Sequence, residues 1–244
     1  MQSKPFLILQ LRPVDAACEN ELQAILSYGG IENYVRVRME KEGVPEVDLN
    51  AYSGIIIGGG PSNVSDDPKI KHAFQLKFEA ELKRLYRKVF NADFPLLGTC
   101  YGVGSLVDYV GGSVSKDKYY EAPGAVDIHI SEEGKNDPLL KGLPSPFRAF
   151  VGHKEACQVL PQEAVQLAGS ETCPYQMLRF QKNIYAVQFH PELDFEGLKL
   201  RILVYKHEGY FDPEAAEVLI QENEKEEIIV PPLILKRFVG RYRS

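Results

Sequence analysis

The chain has 244 residues, 44% hydrophobic and 25% charged, with a formal net charge of −6 and a pI near 5.5. That length and apolar content suit one globular domain over residues 1–244 with a full core, and the acidic balance speaks against a dedicated nucleic-acid binder, which is usually basic. No stretch approaches the roughly 20 apolar residues that span a bilayer, and the apolar run at residues 6–11 is too short for a secretory signal, so a cytoplasmic protein outside the membrane is expected.

The elements alternate through the first half. Residues 6–11 predict a buried strand, and Asp15 is placed to cap a helix over 16–28 that Gly29-Gly30 ends. Residues 34–38 alternate apolar and basic, as a half-exposed strand does. Residues 54–57 are a short β-branched run, broken by Gly58-Gly59-Gly60-Pro61. Helical spacing over 69–90 gives an apolar stripe of Phe74, Phe78, Leu82, Leu85 and Val89. A strand at Leu96-Leu97 leads into a helix over 101–110, closed by Gly111-Gly112. This order implies an α/β fold: a mostly parallel central sheet with helices on both faces. Short strand candidates follow at 126–130, 149–151, 165–168, 177–180 and 184–188, and predict a small antiparallel extension. Helices are expected at 198–207 and 213–226, the second started by Asp212-Pro213. Pro231-Pro232 is read as ending that region, with a last short helix at 235–243, so that residues 211–244 form a C-terminal helical extension.

The cysteines Cys18, Cys100, Cys157 and Cys173 have no Cys-x-x-Cys spacing, so neither a zinc site nor a disulfide framework is expected. Cys100 differs from the others in its setting. It lies in Gly98-Thr99-Cys100-Tyr101-Gly102, directly after an apolar strand. Gln188-Phe189-His190-Pro191-Glu192 follows a later strand. A thiol attacks a carbonyl as thiolate. The N-terminus of the helix starting near Tyr101 would lower the thiol's pKa, and His190 would take its proton. Glu192, pointing the same way from a strand, would fix the imidazole tautomer. An oxyanion needs backbone N–H donors. Tyr101 adjoins the thiol, and Gly60 is the last N–H before Pro61.

These motifs resemble the class I glutamine amidotransferase family, of the type found in the glutaminase part of GMP synthase. The likeness extends to about residue 210. It implies a flavodoxin-like fold of that family, with Cys100 as nucleophile, His190 as base and acid, and Glu192 as orienting carboxylate. It implies Gly60 and Tyr101 as oxyanion donors, and Gly59, Gly104, Gly152 and His153 beside the substrate. The implied reaction is cleavage of a γ-glutamyl amide through a thioester, with neither metal nor organic cofactor required. Gly104 departs from the pattern: the family usually has a substrate-holding glutamine there. Its absence is expected to leave space, which admits a larger γ-glutamyl donor as an alternative to glutamine. A non-catalytic, partner-binding relative is a third reading. There is no Ser-Gly-Gly-x-Asp loop and no P-loop, so ammonia would pass to a separate synthetase subunit, or the chain hydrolyses its substrate alone.

Overall fold

The computed structural model describes residues 3–243. Its centre is a nine-stranded sheet, begun by β1 (Phe6–Gln10), which is buried at every position. Phe6 and Ile8 face one apolar cluster and Leu7 and Leu9 the other, so a continuous apolar run reads as a strand covered on both faces. Helix α1 (Asp15–Gly29) follows, then β2 (Tyr34–Arg38), the short α2 (Met39–Glu42) and β3 (Gly54–Ile57). Helix α3 (Ala73–Ala92) leads to β4 (Leu96–Thr99) and α4 (Tyr101–Tyr109). Next come β5 (Ser113–Ser115), β6 (Glu121–Ile130), α5 (Glu132–Lys135), β7 (Phe147–His153), β8 (Ala156–Val159), β9 (Ala164–Gly169), β10 (Met177–Phe180) and β11 (Ile184–Val187). Helices α6 (Phe195–Tyr205), α7 (Ala216–Asn223) and α8 (Val230–Tyr242) complete the chain.

The sheet order is β2-β1-β3-β4-β11-β10-β9-β6-β7. From β2 to β11 every pairing is parallel, and from β11 to β7 every pairing is antiparallel. The expected parallel sheet with an antiparallel extension is therefore present. Leu22 and Ile25 of α1 join Ile234, Leu235 and Phe238 of α8 in the core on one face. Phe78 and Leu82 of α3 join Val103 and Leu106 of α4 on the other. Among the described residues no helix is long and apolar enough to cross a membrane.

Several local expectations need correction. Asp15 does not cap α1: the N-cap is Val14, and Asp15 instead pairs with Arg38 and Lys41 from the first turn. Helix α3 starts at Ala73 rather than 69, and Phe74 is exposed. The helix expected at 213–226 is a single 3-10 turn, Pro213–Ala215, followed by α7. Pro231-Pro232 starts α8 instead of ending a region, because the first helical turn has no N–H bond for proline to forfeit.

Candidate active site

Four adjacent parallel strands, β1, β3, β4 and β11, deliver Arg12, Gly58-Gly59-Gly60, Cys100 and His190 beyond their carboxyl ends. In an open α/β sheet that edge is where ligands bind. Cys100 joins β4 to α4 with φ 51° and ψ −93°, a strained turn that a side chain seldom adopts and that lifts it above the sheet, as at a nucleophile elbow. Its N–H donates to Val187 O at 2.8 Å, and Thr99 Oγ1 donates to Ile57 O at 3.0 Å. The elbow is thus tied to both neighbouring strands.

His190 and Glu192 lie past the end of β11, so their approach comes from a turn and not from strand alternation. His190 N–H donates to Phe150 O, and Leu193 N–H returns to His190 O. His190 Nδ1 stands 3.0 Å from Glu192 Oε1, which leaves Nε2 as the ring nitrogen for other partners. A Cβ built on Gly59 would lie 2.9 Å from His190 Cε1 and 3.3 Å from Cys100 Cβ. The glycine turn is therefore wedged between thiol and imidazole, where no side chain fits. On Gly60 a Cβ would lie 2.1 Å from Leu11 O. Gly59 N–H is already engaged by Glu21 Oε1 at 3.3 Å, whereas Tyr101 N–H, in the first turn of α4, has no partner within the helix.

Arg12, Glu21 and Arg201 surround this pair, and none was singled out from the sequence. Arg12 Nε meets Glu21 Oε1 at 2.6 Å, Arg201 Nη2 meets Glu192 Oε1 at 2.9 Å, and Arg201 Nη2 lies 3.9 Å from Glu21 Oε1. All four charged groups are buried. Burial opposes the charge on Glu192, but His190 and Arg201 outweigh it and hold its carboxyl well below the usual range. Burial lowers the His190 pKa; Glu192 partly restores it and Arg201 depresses it further. The thiol reverses the expected direction. Burial pushes Cys100 up to about 12, against the lowering pull of Arg12 and Arg201. The helix N-terminus does not overcome this desolvation.

Gly104 also departs from expectation, because its side of the site is filled. A Cβ there would lie 3.0 Å from Glu155 Oε1, 3.4 Å from Val64 Cγ2 and 3.6 Å from Val114 Cγ1. Glu155 accepts from Val64 N, Ser65 N and Ser65 Oγ at 2.6–2.8 Å. Burial raises its carboxyl, and the Ser65 and Val64 hydrogen bonds only partly offset this. Gly152 places its carbonyl oxygen 4.0 Å from Cys100 Sγ, a long contact for a thiol donor. The His153 side chain instead is buried beneath the sheet end. Its Nδ1 faces Glu155 O at 3.0 Å and its Nε2 faces Glu121 Oε2 at 2.7 Å. Burial favours neutral Glu121, but His153 with the Thr172 and Ser170 hydroxyls holds the carboxyl below its usual range.

Two recesses meet at Cys100. One is polar, with Gly60, Tyr101, Gly104, Lys154, Glu155 and Gln188 on its walls. The other, on the His190 side, is walled by Pro123, Val151, Leu193, Leu198, Tyr205 and Phe211. Tyr210 borders both, and its hydroxyl reaches Gly60 O at 3.4 Å. Lys154 Nζ lies 4.6 Å from the Tyr210 ring centre and donates to Glu208 O at 2.9 Å.

The sequence pattern of the family described as Glutamine amidotransferase class-I matches residues 17–204. Over 187 residues the chain is 31% identical to a GMP synthase (glutamine-hydrolyzing) of Bacillus pumilus, covering 71% of this chain and 33% of that one. It spans about a quarter to a third of the length of the curated relatives it matches. The fold is shared with a glutamine amidotransferase from Thermotoga maritima (TM-score 0.75, 23% identity, 96% of this chain and 98% of that one). It is also shared with a glutamine amidotransferase from Methylobacillus flagellatus (TM-score 0.75, 21% identity, 99% and 94%). With the thiol turn, the imidazole–carboxylate pair and the glycine turn at one sheet edge, the chain belongs to the class-I glutamine amidotransferases.

Proposed function

We propose that this protein hydrolyses the γ-amide of glutamine through a Cys100 thioester, giving glutamate and ammonia. The observation that carries this reading is the 3.0 Å contact between His190 Nδ1 and Glu192 Oε1, beside a thiol on the neighbouring strand. His190 Nε2 takes the thiol proton as sulfur bonds to the amide carbon. Gly60 and Tyr101 N–H groups receive the oxyanion. The same proton passes to the leaving nitrogen, the C–N bond breaks and ammonia departs. Water then attacks the thioester with His190 again as base, and glutamate leaves with the thiol restored. Glu155, in the polar recess, offers an acceptor to the donor's α-ammonium; Gly104 and His153 border that recess, Gly152 borders the recess on the His190 side, and Gly59 lies between them against Cys100 and His190. No step requires a metal or organic cofactor.

The ammonia is passed to a separate synthetase subunit; the Bacillus pumilus relative is a GMP synthase about three times the matched length. A second reading is favoured by the apolar recess beside His190, which offers room for an alkyl group on the leaving nitrogen. The test is mass spectrometry of Cys100 after treatment with a glutamine-analogue alkylator, with glutamate release measured from glutamine and from γ-glutamylethylamide. Labelling and glutamine turnover, both lost in Cys100→Ala, are expected. Preference for the ethylamide selects the second reading. An unlabelled Cys100 with no turnover of either amide leaves a non-catalytic binding protein.

A further inference from the structure

His190 Nδ1 has two claimants. Glu192 Oε1, 3.0 Å away, only accepts; Arg201 Nη1, also 3.0 Å away, only donates. A ring nitrogen holds either a proton or a lone pair, so it satisfies one of them at a time. With the proton on Nδ1, Glu192 is served and Nε2 offers its lone pair as a base. With the lone pair on Nδ1, Arg201 is served, and Nε2 carries a proton and cannot take the one on the thiol. Arg201 Nη2 also holds Glu192 Oε1 at 2.9 Å, so the guanidinium forks across ring and carboxylate together.

The surroundings leave this arrangement incompletely satisfied. Arg201 Nε, Glu192 Oε2 and the Tyr205 hydroxyl are buried with no hydrogen-bond partner among the described residues. Glu21 Oε1 lies 3.9 Å from Arg201 Nη2 and is held in place by Arg12. It is a second acceptor within a small side-chain rotation. Such unpaired buried groups are costly, so the observed position of Arg201 is not a fully satisfied one.

We propose that Arg201 is a positioning residue that holds His190 in its Nε2–H tautomer in the substrate-free protein and frees it by turning toward Glu21. The exchange returns a proton to Nδ1 and removes one from Nε2 through water, with no net change in charge. It rests on the reading of Cys100, His190 and Glu192 as a triad. The thiol then stays protonated against the Gly152 carbonyl until the donor enters, which guards it from wasteful attack on other electrophiles.

Nitrogen NMR of the full chain with labelled histidine, with the His190 signals identified by their loss in His190→Gln, reads the tautomer directly. The wild-type protein is expected to show protonated Nε2 and bare Nδ1. Arg201→Lys keeps the charge but cannot fork, and is expected to move the proton to Nδ1. Its Cys100 should react with iodoacetamide at neutral pH roughly 10-fold faster or more. A wild-type His190 already protonated at Nδ1, or an unchanged tautomer in a folded Arg201→Lys, overturns the proposal. If Arg201→Lys does not fold, the wild-type spectrum decides alone. If the tautomer behaves as expected but no γ-glutamyl amide is cleaved, the clamp stands and the reaction assignment falls.

Discussion

Glu155 occupies the space that a side chain at Gly104 would enter: its Oε1 lies 3.0 Å from a Cβ built there. A carboxylate from the turn after β7 therefore takes part of the space that a side chain at Gly104 would use, beside the polar recess that both residues wall. Gly104→Gln is expected to lower glutamine turnover and to cost about 1–3 kcal/mol through overpacking, set against a gain of about 1 kcal/mol from removing a helical glycine. Urea denaturation and steady-state kinetics measure both, and a rise in kcat/KM for glutamine would show that Glu155 yields the space.

Strain at Cys100 gives a second expectation. Cys100 sits at φ 51°, ψ −93°, where a side chain costs about 1–3 kcal/mol. Both Cys100→Ala and Cys100→Gly should abolish hydrolysis. Cys100→Gly should be the more stable of the two by about 1 kcal/mol, the reverse of the usual order. Equal urea midpoints would mean that the turn relaxes when the thiol is removed.

Alkali should unfold the protein in a defined window. Burial raises Cys100 and Cys173 to about 12 and Cys157 to about 11, from the ordinary thiol value of 9.0. Between those values the unfolded chain has lost protons that the folded chain retains, so stability falls as pH rises. The urea midpoint should drop from about pH 9 upward, through about pH 11 for Cys157 and about pH 12 for Cys100 and Cys173, and less in Cys157→Ser. A flat profile would mean that these thiols ionise freely in the folded state.

The buried His153–Glu121 contact of 2.7 Å should matter to stability more than a surface pair. His153→Ala removes the ring from the buried Glu121 carboxylate, which keeps its Ser170, Thr172 and Gln176 donors, and is expected to cost about 1–3 kcal/mol. Glu121 is held below its usual range, so its contribution is present above the unfolded-state pKa and is lost as pH falls through the folded one. Glu121→Gln should flatten the acid limb of a urea-midpoint profile, and an unaltered limb would place that dependence elsewhere.

The parts of this site visible in the sequence were those joined by the chain. Cys100 follows an apolar strand and is flanked by glycines; His190 and Glu192 are two residues apart. Partners brought together by folding were not visible, because no local pattern links Arg12, Glu21 and Arg201. A signal existed nonetheless. Glu21 falls on the buried side of α1 with Cys18, Leu22 and Ile25, and Arg201 falls with Leu198, Ile202 and Tyr205 on α6. A charge on an apolar stripe must find a partner or pay its full desolvation. The crowding beside Gly104 was hidden for the same reason: Glu155 is 51 residues away in sequence and adjacent only in space. Short strands such as β5 and β8 were missed because their pairing with each other, and not their composition, defines them.

The register of β4 against β11 sets Thr99 opposite Val187, and Cys100 and His190 follow one and three residues later. Their separation is thus measured out by the hydrogen-bond ladder of two neighbouring strands, before any loop closes. The long excursion between these strands folds largely as the sheet's outer edge. A change of length within that excursion would therefore leave the spacing of sulfur and imidazole as the ladder sets it.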